Sequence, residues 1–242
     1  VKWDCICFDL DNTLCDYERA FESGMRTNYA LFLKKHWKDT SFPTPEEWFP
    51  VYKSYCDRYW HKVENESLSK RDYQRKRLVD SLLQFGVEIS NESADSFQNS
   101  FYKLVDEHVL LFPGIEHLLD ELKAYGTKLG IISNGRVDTQ KRKIDRLKLF
   151  KWFSMDSIII SDEVGVVKPE AKIFQCAEQR LKAEKDRKLF VGDSWELDVC
   201  GAINAGWGAL YFNTRNKVIK INNPEIDECK TIQELTETIF SR

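Results

Sequence analysis

The chain has 242 residues, 42% of them hydrophobic and 31% charged, with 36 basic against 39 acidic side chains. That length suits one large domain, or a domain with a smaller insert, and the formal net charge of -3 exerts no pull toward a nucleic acid polymer or an anionic membrane. No apolar run reaches the ~20 residues of a bilayer span, and Val1-Lys2-Trp3-Asp4 lacks the basic-then-apolar order of a signal peptide, so a soluble cytoplasmic protein is expected.

Residues 3–8 (WDCICF) are a short apolar run that predicts a buried strand ending at Asp9. Cys5 and Cys7 are two apart and share one face of it. Seven scattered cysteines without a CxxC pair argue against a disulfide framework or a structural zinc site. Buried free thiols in a reducing compartment are the expectation.

The segment from about 17 to 108 has helix-like spacing, and no strand is predicted in it. It is rich in aromatics (Trp37, Trp48, Tyr52, Tyr55, Tyr59, Trp60), and Tyr52, Tyr55 and Tyr59 fall on one helical face. Pro43 and Pro45 interrupt it, and Ser69 is placed to cap a helix. These aromatics are expected in the core of the insert rather than against a ligand. Arg71, Arg75, Lys76 and Arg77 read as a solvated helix face. His36, His61, His108 and His117 show no metal-ligand spacing and are expected in surface or capping roles.

After Phe112-Pro113-Gly114 strands and helices alternate. A helix is predicted at 114–125, a strand at 128–132 and a helix at 138–148. Its run Lys141-Arg142-Lys143, with Arg146 and Lys148, reads as an exposed side. A strand at 157–160 precedes a helix near 170–182, and a strand at 188–191 precedes a helix near 195–205. A last strand follows at 209–212, and Thr231 is expected to cap a closing helix. Apolar strands alternating with helices specify a parallel sheet covered on both faces. The predicted architecture is α/β: a Rossmann-like core (1–16 and 109–242) carrying an all-helical insert (17–108).

In such sheets ligands bind beyond the carboxyl ends of the strands. Those ends carry Asp9-Leu10-Asp11-Asn12-Thr13-Leu14, Ser133-Asn134-Gly135, Lys168-Pro169, and Gly192-Asp193-Ser194 with Asp198 close behind. Each group alone is ambiguous: an aspartate at a strand end is often a solvated loop residue, Ser133 suits any turn, and Asp198 suits the first turns of a helix. Taken together they fit phosphoryl transfer. Clustered carboxylates repel unless a cation is present, and Asp9, Asp11 and Asp193 offer hard oxygen ligands suited to Mg²⁺. One carboxylate can attack phosphorus while a second handles the proton of the leaving oxygen. Lys168 can offset negative charge, and the Ser133 hydroxyl can hold a phosphate oxygen.

The stretches DLDNTL, SNG, KP and GDSWELD resemble, in order and across the whole core, the four signature motifs of the haloacid dehalogenase-like hydrolase superfamily. The helical insert resembles that family's C1 cap. The resemblance implies Asp9 as nucleophile and Asp11 as general acid and base. It implies Ser133, Asn134 and Lys168 on the phosphate side, with Lys168 also serving the nucleophile. It implies Mg²⁺ held by Asp193, the Asp9 carboxylate and the Asp11 backbone carbonyl, with Asp198 as an outer carboxylate or one that orients Lys168. Thr13 would support the loop.

Dehalogenases of the superfamily lack the acid at the Asp11 position, so phosphate esters are the expected substrates. KWDCICFDLDNTL, LFPGIEHLL, ISDEVGVVKPEAKIF and GDSWELDVCGAINAGW are similar to pyrimidine 5′-nucleotidases and N-acylneuraminate-9-phosphatases. The implied partner is a small phosphorylated metabolite such as a nucleoside 5′-monophosphate. No nucleic acid polymer or membrane is implied, and the chain would be a monomer or homodimer. The alternatives are a sugar-phosphate phosphatase or a phosphomutase on the same core, then a 2-haloacid dehalogenase or a non-catalytic binding protein.

Overall fold

The computed structural model describes residues 2–36, 42–183, 187–219 and 226–241. The chain divides into two compact units, residues 1–17 with 109–242, and residues 18–108. Among the described residues no helix is long and apolar enough to cross a membrane.

The first strand, β1 (Cys5–Phe8), is buried along its whole length. The chain then runs through four helices, α1 (Tyr17–His36), α2 (Pro45–Glu64), α3 (Lys70–Leu83) and α4 (Asn91–His108). Thr44 and Glu47 form a reciprocal capping box at the start of α2, with Pro45 in its first turn. Ser69 caps α3 by accepting from Asp72 N at 3.1 Å. Trp48 and Tyr52 are fully buried, with the Tyr29 ring stacked 4.1 Å from Trp48. Tyr55, Tyr59 and Tyr73 make a second cluster, whereas Trp60 is half exposed. The side chain of His36 and all of Trp37 lie outside the described residues.

One expectation fails in this unit. Arg71, Arg75 and Lys76 pair with Asp95 or Asp80 near the surface, but Arg77 is buried. Its guanidinium donates to Gln98 Oε1 at 2.9 Å and lies 4.7 Å from the Tyr73 ring centroid and 5.2 Å from that of Tyr52. A weakly hydrated, planar cation can stack on rings where an ammonium would have to shed its water.

The second unit resumes with α5 (Ile115–Ala124) and β2 (Lys128–Ser133), then α6 (Val137–Arg146) and β3 (Ile158–Ile160). Next come α7 (Ser161–Val164), α8 (Ala171–Leu181) and β4 (Lys188–Gly192). A π-helical turn (Trp195–Cys200) leads into α9 (Gly201–Asn204), followed by β5 (Gly208–Phe212), β6 (Asp227–Cys229) and α10 (Ile232–Ser241). The sheet order is β3-β2-β1-β4-β5-β6, and all neighbours are parallel. Each central strand puts near-continuous apolar residues between two helical layers, as doubly covered parallel sheets require. Cys5, Cys7, Phe174, Phe190 and Trp207 share one core cluster, and all seven cysteines are free. Thr231 accepts from Glu234 N at 3.1 Å at the head of α10.

Two elements carried no sequence signal. The edge strand β6 (Asp-Glu-Cys) buries only Cys229, and α7 is one turn long, so neither shows a hydrophobic period. The helix expected over 195–205 is present as the π-helical turn running directly into α9, and the Asp198 side chain accepts from Ser194 N at 2.9 Å near its start.

Candidate active site

Strands of a parallel sheet end on one rim. Phe8, at the end of β1, is in register with Ile131 of β2 and Val191 of β4. Asp9 N then donates to Val191 O at 2.9 Å, which fixes the residue just beyond the strand. Ser133 pairs with Ile160, and Gly192 with Tyr211. Asp9, Ser133, Asn134 and Asp193 therefore reach the rim because the strand register carries them there.

Lys168 is the centre of the buried charge. Its ammonium lies 2.6 Å from Asp9 Oδ1 and 2.6 Å from Asp198 Oδ1, and all three side chains are buried. The Asn134 side chain holds the Lys168 backbone on both sides, accepting from its N–H at 2.8 Å and donating to its carbonyl at 3.0 Å. Burial works to lower the Lys168 pKa, but Asp198 and Asp9 outweigh it and raise it. Burial also pushes the Asp9 carboxyl up to about 8, with Asp198 and Asp193 adding to the rise. Lys168 opposes that rise, but one ammonium is shared between two carboxylates.

Gly192 makes this arrangement sterically feasible. A Cβ there would sit 2.4 Å from Asp198 Cγ and Oδ2, closer than any real contact. Gly192→Ala must displace Asp198 and loosen Lys168. The expected result is a loss of about 1–3 kcal/mol of stability from overpacking and a fall in turnover, read by thermal melts and initial rates. A variant with wild-type melting and rate would show that Asp198 is free to move without consequence.

Asp193 pairs with Arg215 from the segment after β5. Burial still raises its carboxyl to about 6. Oxygen atoms of Asp9, Asp193 and Asp198 all lie within 4.8 Å of one another. This donor set is all oxygen, buried and kept together against its own repulsion. It fits a hard divalent cation such as Mg²⁺ and offers nothing to a soft thiophilic metal.

Asp11 stands apart from that cluster and has its own cation. Lys143 Nζ lies 2.6 Å from Asp11 Oδ1 and 2.5 Å from Oδ2. Gln140 Nε2 donates to Ser133 Oγ at 2.7 Å and reaches Asp11 Oδ2 at 3.2 Å. The expectation of an exposed basic face on α6 is thus corrected at Lys143, which is buried, as is Gln140. The physical reason is the helix period. Gln140, Lys143, Ile144 and Leu147 fall at i, i+3, i+4 and i+7, and all four are buried. That stripe is visible in the sequence once polar residues are allowed on a buried face. Arg215, 22 residues beyond Asp193, left no such trace. Thr13 is buried, and its hydroxyl has no hydrogen-bond partner among the described residues.

Known proteins resemble this chain in sequence and in fold. A family model described as haloacid dehalogenase-like hydrolase matches residues 3–206. The chain is 31% identical over 218 residues to the pyrimidine 5′-nucleotidase YjjG of Escherichia coli (strain K12), spanning 90% of this chain and 89% of that one. It is 30% identical over 208 residues to the glyceraldehyde 3-phosphate phosphatase of Pyrococcus abyssi (strain GE5 / Orsay), spanning 86% and 80%. The fold matches a structure of YfnB from Bacillus subtilis bound to magnesium, with a TM-score of 0.80 at 21% identity over 98% of each chain.

Proposed function

The chain belongs to the haloacid dehalogenase-like hydrolases, and within that family we propose that it is a magnesium-dependent phosphomonoester hydrolase acting through a phosphorylated Asp9. The observation that supports this best is the buried Asp9 carboxylate at the end of β1, 2.6 Å from Lys168 and two residues from Asp11. An Asp9 carboxylate oxygen attacks phosphorus, and the bond from phosphorus to the ester oxygen breaks. Asp11 gives its proton to that leaving oxygen. Water then attacks the aspartyl-phosphate and passes a proton back to Asp11. The bond from phosphorus to Asp9 breaks, inorganic phosphate leaves, and both carboxyl groups return to their starting states.

Lys168 draws negative charge toward Asp9 and the transferring group, and Asp198 holds Lys168 in place. Ser133 and Asn134 line the phosphate side, with Asn134 also setting the Lys168 backbone. Thr13 supports the loop after β1. Magnesium, held by Asp9, Asp193 and the Asp11 carbonyl, would supply charge neutralisation for the phosphate. The helical unit, residues 18–108, acts in this scheme as the cap that selects substrate.

A nucleoside 5′-monophosphate is the substrate favoured by the relative named as a pyrimidine 5′-nucleotidase. A small sugar phosphate is the second reading, favoured by the relative named as a glyceraldehyde 3-phosphate phosphatase. Phosphate release from dUMP, dTMP, glyceraldehyde 3-phosphate and an N-acylneuraminate 9-phosphate separates the two. Nucleotides are expected to give the highest kcat/KM. Chelating the metal is expected to lower the rate by about 10²-fold or more, since such ions stabilise transition-state charge by several kcal/mol. Isomerised sugar phosphate in place of free phosphate would make the enzyme a mutase. Unchanged release under chelation would remove magnesium from the scheme.

A further inference from the structure

We propose that Lys143, assisted by Gln140, is a positioning residue for Asp11, holding that carboxylate where it exchanges protons with the ester oxygen and then with water. The inference rests on the proposed role of Asp11, and it extends the reaction machinery onto a helix face outside the four motifs.

A lysine on the buried face of α6 is costly. An ammonium removed from water loses several kcal/mol of hydration, and attraction to a partner recovers this only with good geometry. A leucine at 143 would continue the stripe of Ile144 and Leu147 without that cost. The lysine side chain is 3% exposed, while its carboxylate partner is 24% exposed. The cation is thus sealed in and the acid faces outward, as expected of a buried support for a group that meets substrate.

The grip is also specific. One ammonium contacts both Asp11 oxygens and lies 4.4 Å from the Tyr17 ring centroid, so the carboxylate is held from one side in a single orientation. Gln140 ties one of those oxygens to the Ser133 hydroxyl. The proton-transfer group and the phosphate-side hydroxyl are thereby set by one amide. Gly135 keeps room for that amide, since a Cβ there would lie 2.9 Å from Gln140 Nε2. Lys168 serves Asp9 and Asp198 while Lys143 serves Asp11. The two carboxylates of the reaction therefore have separate cations, and one can be disturbed without the other.

A positioned acid misplaced by about 1 Å costs roughly 10²-fold in rate. Lys143→Met is expected to lower kcat by about that factor with KM changed by less than roughly threefold, the signature of a lost transition-state interaction. The loss should be larger for an alkyl phosphate than for p-nitrophenyl phosphate, whose leaving group departs without a proton. The deciding measurement is a double-mutant cycle with Asp11→Asn, assayed with Mg²⁺ on an alkyl phosphate, whose leaving oxygen needs the proton. If Lys143 acts through Asp11, Lys143→Met adds less than about threefold in the Asp11→Asn background, because interacting sites are non-additive.

Equal losses in both backgrounds, or equal losses for the two ester classes, would overturn the inference. Lys143→Gln goes through the same cycle and carries the test should the methionine variant not fold. Asp11→Asn at the wild-type rate would overturn the underlying reading of the site. Asp11→Asn slow with Lys143→Met at full rate would overturn this inference alone.

Discussion

Asp9→Asn is expected to turn over phosphomonoesters on the order of 10⁴-fold more slowly than the wild-type enzyme, or worse, and to stay folded. Asparagine matches aspartate in shape but offers no carboxylate oxygen to phosphorus, and loss of a covalent nucleophile is among the largest single-residue effects in catalysis. The same variant has a second readout of opposite sign. Burial raises the Asp9 carboxyl to about 8, against about 3.9 in an unfolded chain. Between those values the folded chain retains a proton that the unfolded chain has lost, so wild-type stability falls as pH rises through that window. Asparagine has no such proton. Without divalent cation, the melting temperature of Asp9→Asn should therefore exceed that of wild type by a margin that widens from about pH 4 to about pH 8. Mg²⁺ should narrow the margin by favouring the wild-type carboxylate. Turnover at the wild-type rate would end the nucleophile assignment, and a margin that shrank with rising pH would show that Asp9 is not strained by burial.

Lys168→Met should lose both stability and activity. The substitution leaves Asp9 and Asp198 buried and facing each other without the ammonium that now lies 2.6 Å from each. Removing one partner of a buried ion pair costs about 3–5 kcal/mol, which for a chain of this size lowers the melting temperature by roughly 6–20 °C. Turnover should fall by about 10²–10³-fold through loss of charge stabilisation in the transition state. Adding Asp9→Asn or Asp198→Asn to Lys168→Met should recover part of the stability and none of the activity. Recovery of stability follows from the electrostatics of the triad, so its absence would show that Lys168 holds the fold through packing instead. Its ammonium does lie 5.2 Å from the Phe190 ring centroid, and methionine keeps most of that apolar contact.

The sheet was legible because its signal is local. CICF, KLGIIS, III, KLFVG and GALYF are short apolar runs, each ending where a polar residue begins. A fully buried parallel strand is mostly apolar, and the one buried lysine in these runs, Lys188, is paired with Glu178. The edge strand β6 is polar and short, and it becomes a strand only because β5 offers free backbone groups beside it. Arg77 and Lys143 were misread for a related reason. Charge predicts exposure on average, but a guanidinium on tyrosine rings and an ammonium on a carboxylate are exceptions made by partners distant in the chain.

By itself the sequence determined the order of strand ends and hence that Asp9, Ser133, Asn134 and Asp193 reach the rim. Strand register and parallel pairing leave them no other place. The motifs that follow those strands also carried the family, which the comparisons bear out. Only the tertiary structure decided how the charges are divided. Beside the Lys168 pairing with Asp9 and Asp198 that the motifs implied, it gave Lys143 to Asp11 and Arg215 to Asp193. Ion pairing depends on burial and on contacts across more than a hundred residues of chain, as between Asp11 and Lys143. A linear pattern records neither, so the carboxylates and Lys168 could be read from the sequence, and the cations of Asp11 and Asp193 could not.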